Sequence, residues 1–476
     1  MRFLFVNPPV RENEPPISFP LGIGYLSRVL MDGGHDVKVM DIDAHRYSRE
    51  TVEKLVSQAE FDIVGTGGLI TTYSYVKWLV PLLRNRNPNA KIILGGSLAT
   101  SAPHVVMNKL DVDAACIGEG ELTLLDFVDS VEKNMPLKEV RGIWYKDEGG
   151  VHVNAEREQI KDLDSIKFPA WEALPLELYA NVSSGISEFK RKMNVISSRG
   201  CPYRCNYCYH PFGYTYRMRS AENLIEEIKL LYHKYGIRFV MFNDDNVIVD
   251  RKRIMDFCKK LKSESLDIEW TAPGRVNLVD EEFLREMRSG GCTYIGFGLE
   301  SGSPRMLAAM NKNATVEQAR NAIALCKKVG IKPHGTFMLG TPGENHDTIE
   351  ETVNFIKELD LPEDTVLFIT LPFPGTPLYE EAKARGLIPK DEEKYIEKLG
   401  DVNRLLVNMT ELSDEEFLAA HREAQKKIRM PPLKKIMTYL KYYGPEWVVR
   451  RLWMKREKYF GALLPRINAD SAVPEK

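Results

Sequence analysis

At 476 residues and 43% hydrophobic content, the chain can build two or three domains with substantial cores. Seven cysteines, an odd number with no paired framework, argue against an oxidising compartment, and no run of about 18 apolar residues marks a membrane span. The net charge of −2 conceals an uneven distribution: residues 434 to 466 carry nine Lys or Arg against two Glu, and the body before them is acidic.

The opening Met1-Arg-Phe-Leu-Phe-Val-Asn-Pro-Pro9 reads as a buried strand entering a turn rather than a signal peptide, so a cytoplasmic protein is expected. From there to residue 135 short apolar runs alternate with helical patterns. Strands are predicted at residues 3–6, 36–40, 63–65, 91–94 and 114–117, and helices at 22–32, 51–59 and 73–86. The alternation predicts α/β architecture, a Rossmann-like parallel sheet over residues 1–135. Ligands of such sheets gather at the carboxyl ends of the strands. Those ends carry Asn7-Pro-Pro9, Thr66-Gly67-Gly-Leu69-Ile-Thr71, Gly95-Gly96-Ser97 and Gly118-Glu119-Gly120-Glu121. Because Asn-Pro-Pro and not Gly-x-Gly-x-x-Gly follows the first strand, the fingerprint of dinucleotide binding is missing. Asp43-Ala-His45 reads as a polar turn before a helix.

Residues 136–192 form a junction. Residues 141–145 and 151–153, joined across Asp147-Glu-Gly-Gly150, predict a hairpin, and Phe168-Pro-Ala-Trp171 reads as a linker. From 193 to 390 the alternation resumes, with strands predicted at 194–197, 239–242, 268–271, 294–299, 332–339 and 366–371 and helices such as 221–235, 252–263 and 349–359 between them. Six such units make a partial (β/α)6 barrel, whose working residues belong at the strand ends. The candidates there are Asn243-Asp244-Asp245, Ala272-Pro-Gly-Arg275, Glu300-Ser301-Gly302, Gly340-Thr341-Pro-Gly-Glu344 and Phe373-Pro-Gly-Thr-Pro377.

The loop after the first barrel strand, Ser198-Arg-Gly-Cys201-Pro-Tyr-Arg-Cys205-Asn-Tyr207-Cys208-Tyr209, holds three of the seven cysteines. Three thiolates on one short loop can wrap a face of an iron–sulfur cluster and leave its fourth corner open for chemistry. Structural zinc is the rival reading, but it favours four closed ligands; no second Cys pair exists, and His210 adjoins Cys208 too closely to reach round easily. Cys116, Cys258, Cys292 and Cys326 stand alone in apolar surroundings and are assigned to core packing.

The Cys-x3-Cys-x2-Cys spacing with Tyr207 before the last cysteine resembles the signature of the radical SAM enzymes. In that family the thiolates hold a 4Fe-4S cluster whose free iron chelates S-adenosylmethionine, and an electron from the cluster cleaves the sulfonium to a 5'-deoxyadenosyl radical. The resemblance implies that the segment Asn243-Asp244-Asp245, Asn243 and Asp244 foremost, receives the methionine amino group and that Glu300 with Ser301 meets the ribose. It further implies that the loop at Gly340 and Thr341 lies along adenine, with the Tyr207 carbonyl on the adenine amino group. Arg275 would meet the carboxylate or the substrate, or form only a surface ion pair. Gly67, Leu69 and Thr71 with Gly95 and Gly96 are similar to the loops that enclose the nucleotide tail in cobalamin-dependent methionine synthase, and Gly118, Glu119 and Gly120 are placed with them. The Asp-x-His-x-x-Gly that binds cobalt from below is absent after the first strand, so no histidine is expected on the cobalt.

Together these features resemble class B radical SAM methyltransferases, with cobalamin as a third cofactor and a small-molecule or lipid substrate methylated at an unactivated carbon. Such an enzyme needs a low-potential donor such as flavodoxin or ferredoxin. The same architecture also serves non-methylating cyclisation, rearrangement or oxidation. A methylthiotransferase is disfavoured, since it needs three more cysteines in the first domain and only Cys116 lies there. A zinc-stabilised binding protein is the non-enzyme alternative. Residues 391–476 predict a helical C-terminal region with a basic amphipathic tail: Ile436, Tyr439, Leu440 and Tyr443, then Val449, Leu452, Trp453 and Phe460. The tail reads either as a cap on the barrel with a solvated basic face or as a peripheral membrane contact that admits a lipid. Nucleic acid is not expected, because the cations are interleaved with large aromatics and no RNA-binding module is present.

Overall fold

The computed structural model describes residues 1–460 apart from 13, 15, 17, 183–186, 188, 189, 363, 364, 402 and 403. Five parallel strands, β1 (Arg2–Asn7), β2 (Asp36–Asp41), β3 (Ile63–Gly67), β4 (Lys91–Gly95) and β5 (Ala114–Cys116), begin a sheet that β6 (Ile143–Asp147) and β7 (Gly150–Val153) extend antiparallel at its edge. The order is β2-β1-β3-β4-β5-β6-β7. Connectivity reverses direction between β1 and β3, and that reversal opens a crevice at their carboxyl ends. Residues 3–6 of β1 are buried in succession, as befits a strand covered on both faces. The hairpin expected in the junction is thus part of this sheet. Phe168-Pro-Ala-Trp171 is no exposed tether: Trp171 is buried against Phe19, ring centroids 4.9 Å apart.

The second sheet is wholly parallel. Its strands are β8 (Lys192–Val195), then, beyond the short pair β9 (Ser198–Arg199) and β10 (Arg217–Met218), β11 (Phe239–Phe242), β12 (Glu269–Gly274), β13 (Cys292–Glu300), β14 (Lys332–Leu339) and β15 (Leu367–Ile369), ordered β15-β14-β13-β12-β11-β8. Helices between them start and stop on local signals. Ser220 caps Ala221–Tyr235, which ends on left-handed Gly236, and Thr315 with Gln318 forms a capping box on Val316–Val329 before Gly330. Along β14 burial alternates. Pro333, Gly335, Phe337 and Leu339 face the core while His334, Thr336 and Met338 face the concave side. Gly296 and Gly298 stand beside His334 and Thr336, and Phe368 stands beside Met338.

The outer edge of β15 is closed by side chains. Leu367 N donates to Gln425 Oε1 at 3.0 Å, Gln425 Nε2 donates to Thr365 O at 3.1 Å, and His421 Nε2 lies 2.9 Å from Leu367 O. These groups come from the helix Asp414–Ile428. After β15 the chain returns to the first sheet, where Leu371, Tyr379, Tyr395 and Leu399 share a core with Val64, Leu79 and Leu94. Tyr73 Oη donates to Glu393 at 2.7 Å across that contact. The final helix, Pro432–Phe460, is kinked at Gly444 (φ 82°) and lies at the amino ends of the barrel strands. There Lys332, the first residue of β14, sits 4.2 Å over the Tyr443 ring, and Lys434 pairs with Asp360 at 2.7 Å.

Trp270 sits at the centre of the barrel core, edge-on to Phe242 and Phe257, with its indole N–H donating to Gly290 O at 2.7 Å. Replacing it with alanine removes a fully buried ring and orphans a carbonyl, so Trp270→Ala should lower unfolding free energy by about 3–5 kcal/mol, read from the denaturant midpoint.

Candidate active site

The cysteines lie on the loop joining β9 to β10, which pair antiparallel beyond β8. Gly200 enters the loop at φ 83°, where a Cβ would stand 2.3 Å from Thr215 O, so only glycine fits. Cys201 and Cys205 are buried, Cys208 is half-buried, and all three are free thiols. Burial, Asp245 and the two sister cysteines push the Cys208 thiol up to about 12, and burial also raises Cys201. Three thiolates so close need a strong positive charge among them, which a metal cluster provides. Three sulfur donors on one short loop supply the soft, anionic ligand set that an iron–sulfur cluster takes. This donor set fits a cluster.

Arg275, at the end of β12, is neither a surface ion pair nor open toward a carboxylate. Its buried guanidinium donates from Nη1 to Cys205 Sγ at 3.4 Å and from Nη2 to Lys312 O, and it lies 3.8 Å over the Tyr203 ring. At the end of β13, Glu300 adopts φ 66°, a left-handed conformation that costs a non-glycine residue about 1–2 kcal/mol. Its carboxylate accepts from Tyr207 Oη and Lys312 Nζ, each at 2.9 Å, while Lys312 Nζ lies 3.1 Å from Tyr207 Oη. Burial and Glu300 hold the Tyr207 phenol well above its usual range.

The acids after β11 divide. Asp244 is buried and accepts from Ser197 N and Oγ at 3.0 and 2.8 Å, so its side chain is committed to the fold. Asp245 reaches solvent from a crowded position, close enough to the cysteines to raise Cys201 and Cys208; partial desolvation there and neighbouring Asp244 push its carboxyl up to about 6. Asn243 is exposed and accepts from Asn194 Nδ2 at 2.9 Å. Ser301 is likewise committed, its hydroxyl pairing with Thr352 Oγ1 at 2.9 Å. Gly340 N donates to the buried Glu344, whose carboxyl burial pushes up to about 7. Beside it Thr341 Oγ1 is buried without a partner, an orphaned hydroxyl suited to a bound nucleoside. Lys312 is the residue that sequence reasoning misses, because it lies in a turn with no motif.

At the carboxyl edge of the first sheet, Gly67 (φ 140°) abuts Gly95 and Gly96 (φ 76°) abuts Gly68, so that a Cβ at Gly67 would fall 2.1 Å from Gly95 O and one at Gly96 2.6 Å from Gly68 O. A Cβ on Gly95 or Gly118 would meet nothing within 4 Å. Leu69 is 50% exposed beside this cradle and Thr71 is half-buried. The glycine-lined, open edge fits a large planar cofactor with an extended tail. Asp43-Ala-His45, expected as a polar turn, instead lies within the one-turn helix Ile42–His45 capped by Asp41, with Asp43 accepting from Val10 N at 3.2 Å and His45 stacked on Tyr47.

Glu119, expected to touch cobalamin, has its carboxylate committed elsewhere. It accepts from Arg199 Nη1 and Arg217 Nη1, each at 2.8 Å, and from Ile160 N at 2.7 Å, while Glu121 pairs with Arg199 Nη2 at 2.5 Å. All four side chains are at most 8% exposed. Burial acts to raise the Glu119 carboxyl, but the arginines hold it below its ordinary value. Arg199 and Arg217 are the strands of the cysteine hairpin, so this network rivets the hairpin to the loop before the helix Glu121–Glu132. A second contact lies nearby: the Tyr209 ring packs on Gly375 within reach of Ser101 of the first domain.

Comparison with known proteins agrees with this geometry. The family model of the radical SAM superfamily matches residues 195–356 and that of the B12 binding domain matches residues 11–128. An uncharacterized methyltransferase of Pyrococcus horikoshii is 35% identical over 402 residues, 82% of this chain and 84% of that protein. The anaerobic magnesium-protoporphyrin IX monomethyl ester cyclase of Rubrivivax gelatinosus is 28% identical over 83% of this chain and 72% of its own. The fold is similar to that of the radical S-adenosylmethionine methyltransferase TsrM from Kitasatospora setae, solved with cobalamin and a 4Fe-4S cluster, with TM-score 0.75 and 16% identity over 97% of this chain and 100% of that one. A 4Fe-4S cluster, S-adenosylmethionine and cobalamin are thus the cofactors of this architecture, and its enzymes need a reductant. With a cysteine hairpin, a half-barrel of parallel strands and a glycine-edged first sheet in one chain, this protein belongs to the radical SAM superfamily, in the branch that carries a B12-binding domain before the barrel.

Proposed function

We propose that this enzyme methylates an unactivated carbon of a small-molecule or lipid substrate, drawing electrons from a flavodoxin or ferredoxin. The observation that carries the reading is the buried ion network that holds the cysteine hairpin against the glycine-edged sheet. When bound, the cluster and S-adenosylmethionine supply a carbon radical that removes a substrate hydrogen, and cobalamin supplies the methyl group. Cys201, Cys205 and Cys208 would hold the cluster, and Arg275 partly neutralises the Cys205 sulfur. Tyr207, Asn243, Glu300, Gly340 and Thr341 would surround S-adenosylmethionine, with Asp245 a better-placed partner for its ammonium than Asp244. Gly67, Leu69, Thr71, Gly95, Gly96, Gly118 and Gly120 would line the cobalamin cradle. The substrate would lie on the concave barrel face, where Gly296 leaves room and Met338 and Phe368 offer apolar surface.

Anaerobic reconstitution with iron, sulfide and hydroxocobalamin should give about four irons and one cobalt per chain. Methyl-labelled S-adenosylmethionine should then pass label into a small-molecule or lipid fraction of cell extract. Replacing all three cysteines with alanine should abolish iron loading and 5'-deoxyadenosine formation, and persistent cleavage would overturn the assignment. The similarity to a cyclase supports a second reading, in which 5'-deoxyadenosine forms and the product carries no label.

Two variants probe the positioning groups. Glu119→Gln removes the charge between Arg199 and Arg217 while keeping shape, so the two cofactor edges should drift. Cleavage of S-adenosylmethionine should persist while methyl transfer falls by up to about a hundredfold, raising the ratio of 5'-deoxyadenosine to methylated product. Arg275→Met deletes a donor to a ligating sulfur and should shift the midpoint potential of the reconstituted cluster to a more negative value, measured by redox titration with iron content unchanged.

A further inference from the structure

The last helix uses one face to cap the barrel and leaves another open. Toward the barrel, Tyr439, Trp447 and Val448 form a buried cluster, with Tyr443 stacked on Trp447 at 4.2 Å. On the other side Leu433, Ile436, Met437 and Leu440 are 76%, 45%, 64% and 42% exposed and recur at helical spacing as one continuous stripe. Beyond the kink at Gly444, Val449 is 66% exposed, and the sequence continues with Leu452, Trp453 and Phe460 at helical spacing. Single exposed leucines are ordinary surface, but a contiguous stripe is not.

Charge identifies the occupant. Lys441 borders the stripe, and Arg450, Arg451, Lys455, Arg456 and Lys458 follow in the sequence, against Glu446 and Glu457. A second copy of the chain would bring like charges together across such a face. An anionic bilayer instead offers hydrocarbon for the stripe and negative headgroups for the cations. We propose that the helix Pro432–Phe460 is an interfacial anchor that seats the enzyme on an anionic lipid surface. Its place in the fold sets the orientation. Lys332 begins β14 and Asp360 follows the helix preceding β15, so the anchor lies at the amino ends of the barrel strands, opposite the cysteines. Docking there leaves the cofactor face toward water, which makes the helix a tether and not a route for loading a lipid.

The test is co-sedimentation of the full-length protein with vesicles of phosphatidylcholine alone or mixed equally with phosphatidylglycerol, at low and high salt. The protein should pellet with the mixed vesicles at low salt and be released by high salt. Met437→Asp with Leu440→Asp, and separately Lys441→Glu, should each weaken binding at least about tenfold. Cleavage of S-adenosylmethionine should stay at the wild-type rate in both, which also shows that they fold. Binding that is absent, equal on neutral vesicles or unchanged in the variants would overturn the proposal. So would a dimer in light scattering that the aspartates dissolve, which would make the stripe a self-association surface.

Discussion

Two glutamates and two arginines sealed between the first sheet and the cysteine hairpin set the frame for the chemistry. Burying four charges carries a desolvation cost that their attraction barely offsets, so such a network contributes little net stability. What it contributes is uniqueness of docking. Any rotation of the hairpin would strand a charge in a dry interface at a cost of several kcal/mol, and the interface therefore has one low-energy arrangement. Because Arg199 precedes Cys201 by two residues and Glu119 follows Gly118, the constraint acts within a few bonds of both proposed cofactor edges.

A second network stiffens the barrel side. From Cys205 it runs through Arg275 to the Lys312 carbonyl, and from the Lys312 ammonium to Glu300 and Tyr207, which returns it to the cysteine loop. The left-handed backbone at Glu300 is held by these contacts, and strain of this kind persists only where surrounding structure over-determines it. The polar groups are thus oriented before any ligand arrives, which lowers the reorganisation that a charged reaction would otherwise require.

The sequence patterns that proved legible were local ones. Alternating strands and helices, the cysteine spacing and the glycines at strand ends all express themselves within a few residues. Arg199 and Arg217 meet Glu119 across 80 and 98 residues of chain, and no local pattern links them. Asp244 and Asp245 are chemically alike and adjacent; Ser197 and Ser198 decide which is buried. Trp171 sits in a stretch with the look of a tether because the residue that encloses it, Phe19, lies far upstream. The tail carried two compatible readings, since one face of a kinked helix can cap a barrel while the other remains free.

Six strands do not close a barrel, and the free edge of β15 would ordinarily invite another strand. Gln425 and His421 occupy its donors and acceptors with side chains, so the gap is kept by a helix that contributes no strand of its own. The barrel is thereby an open trough whose outer wall is β15 and the helix fastened to its edge. Phe368, the strand neighbour of Met338, is thus held in place from outside the sheet, by a helix that carries none of the proposed cofactor residues.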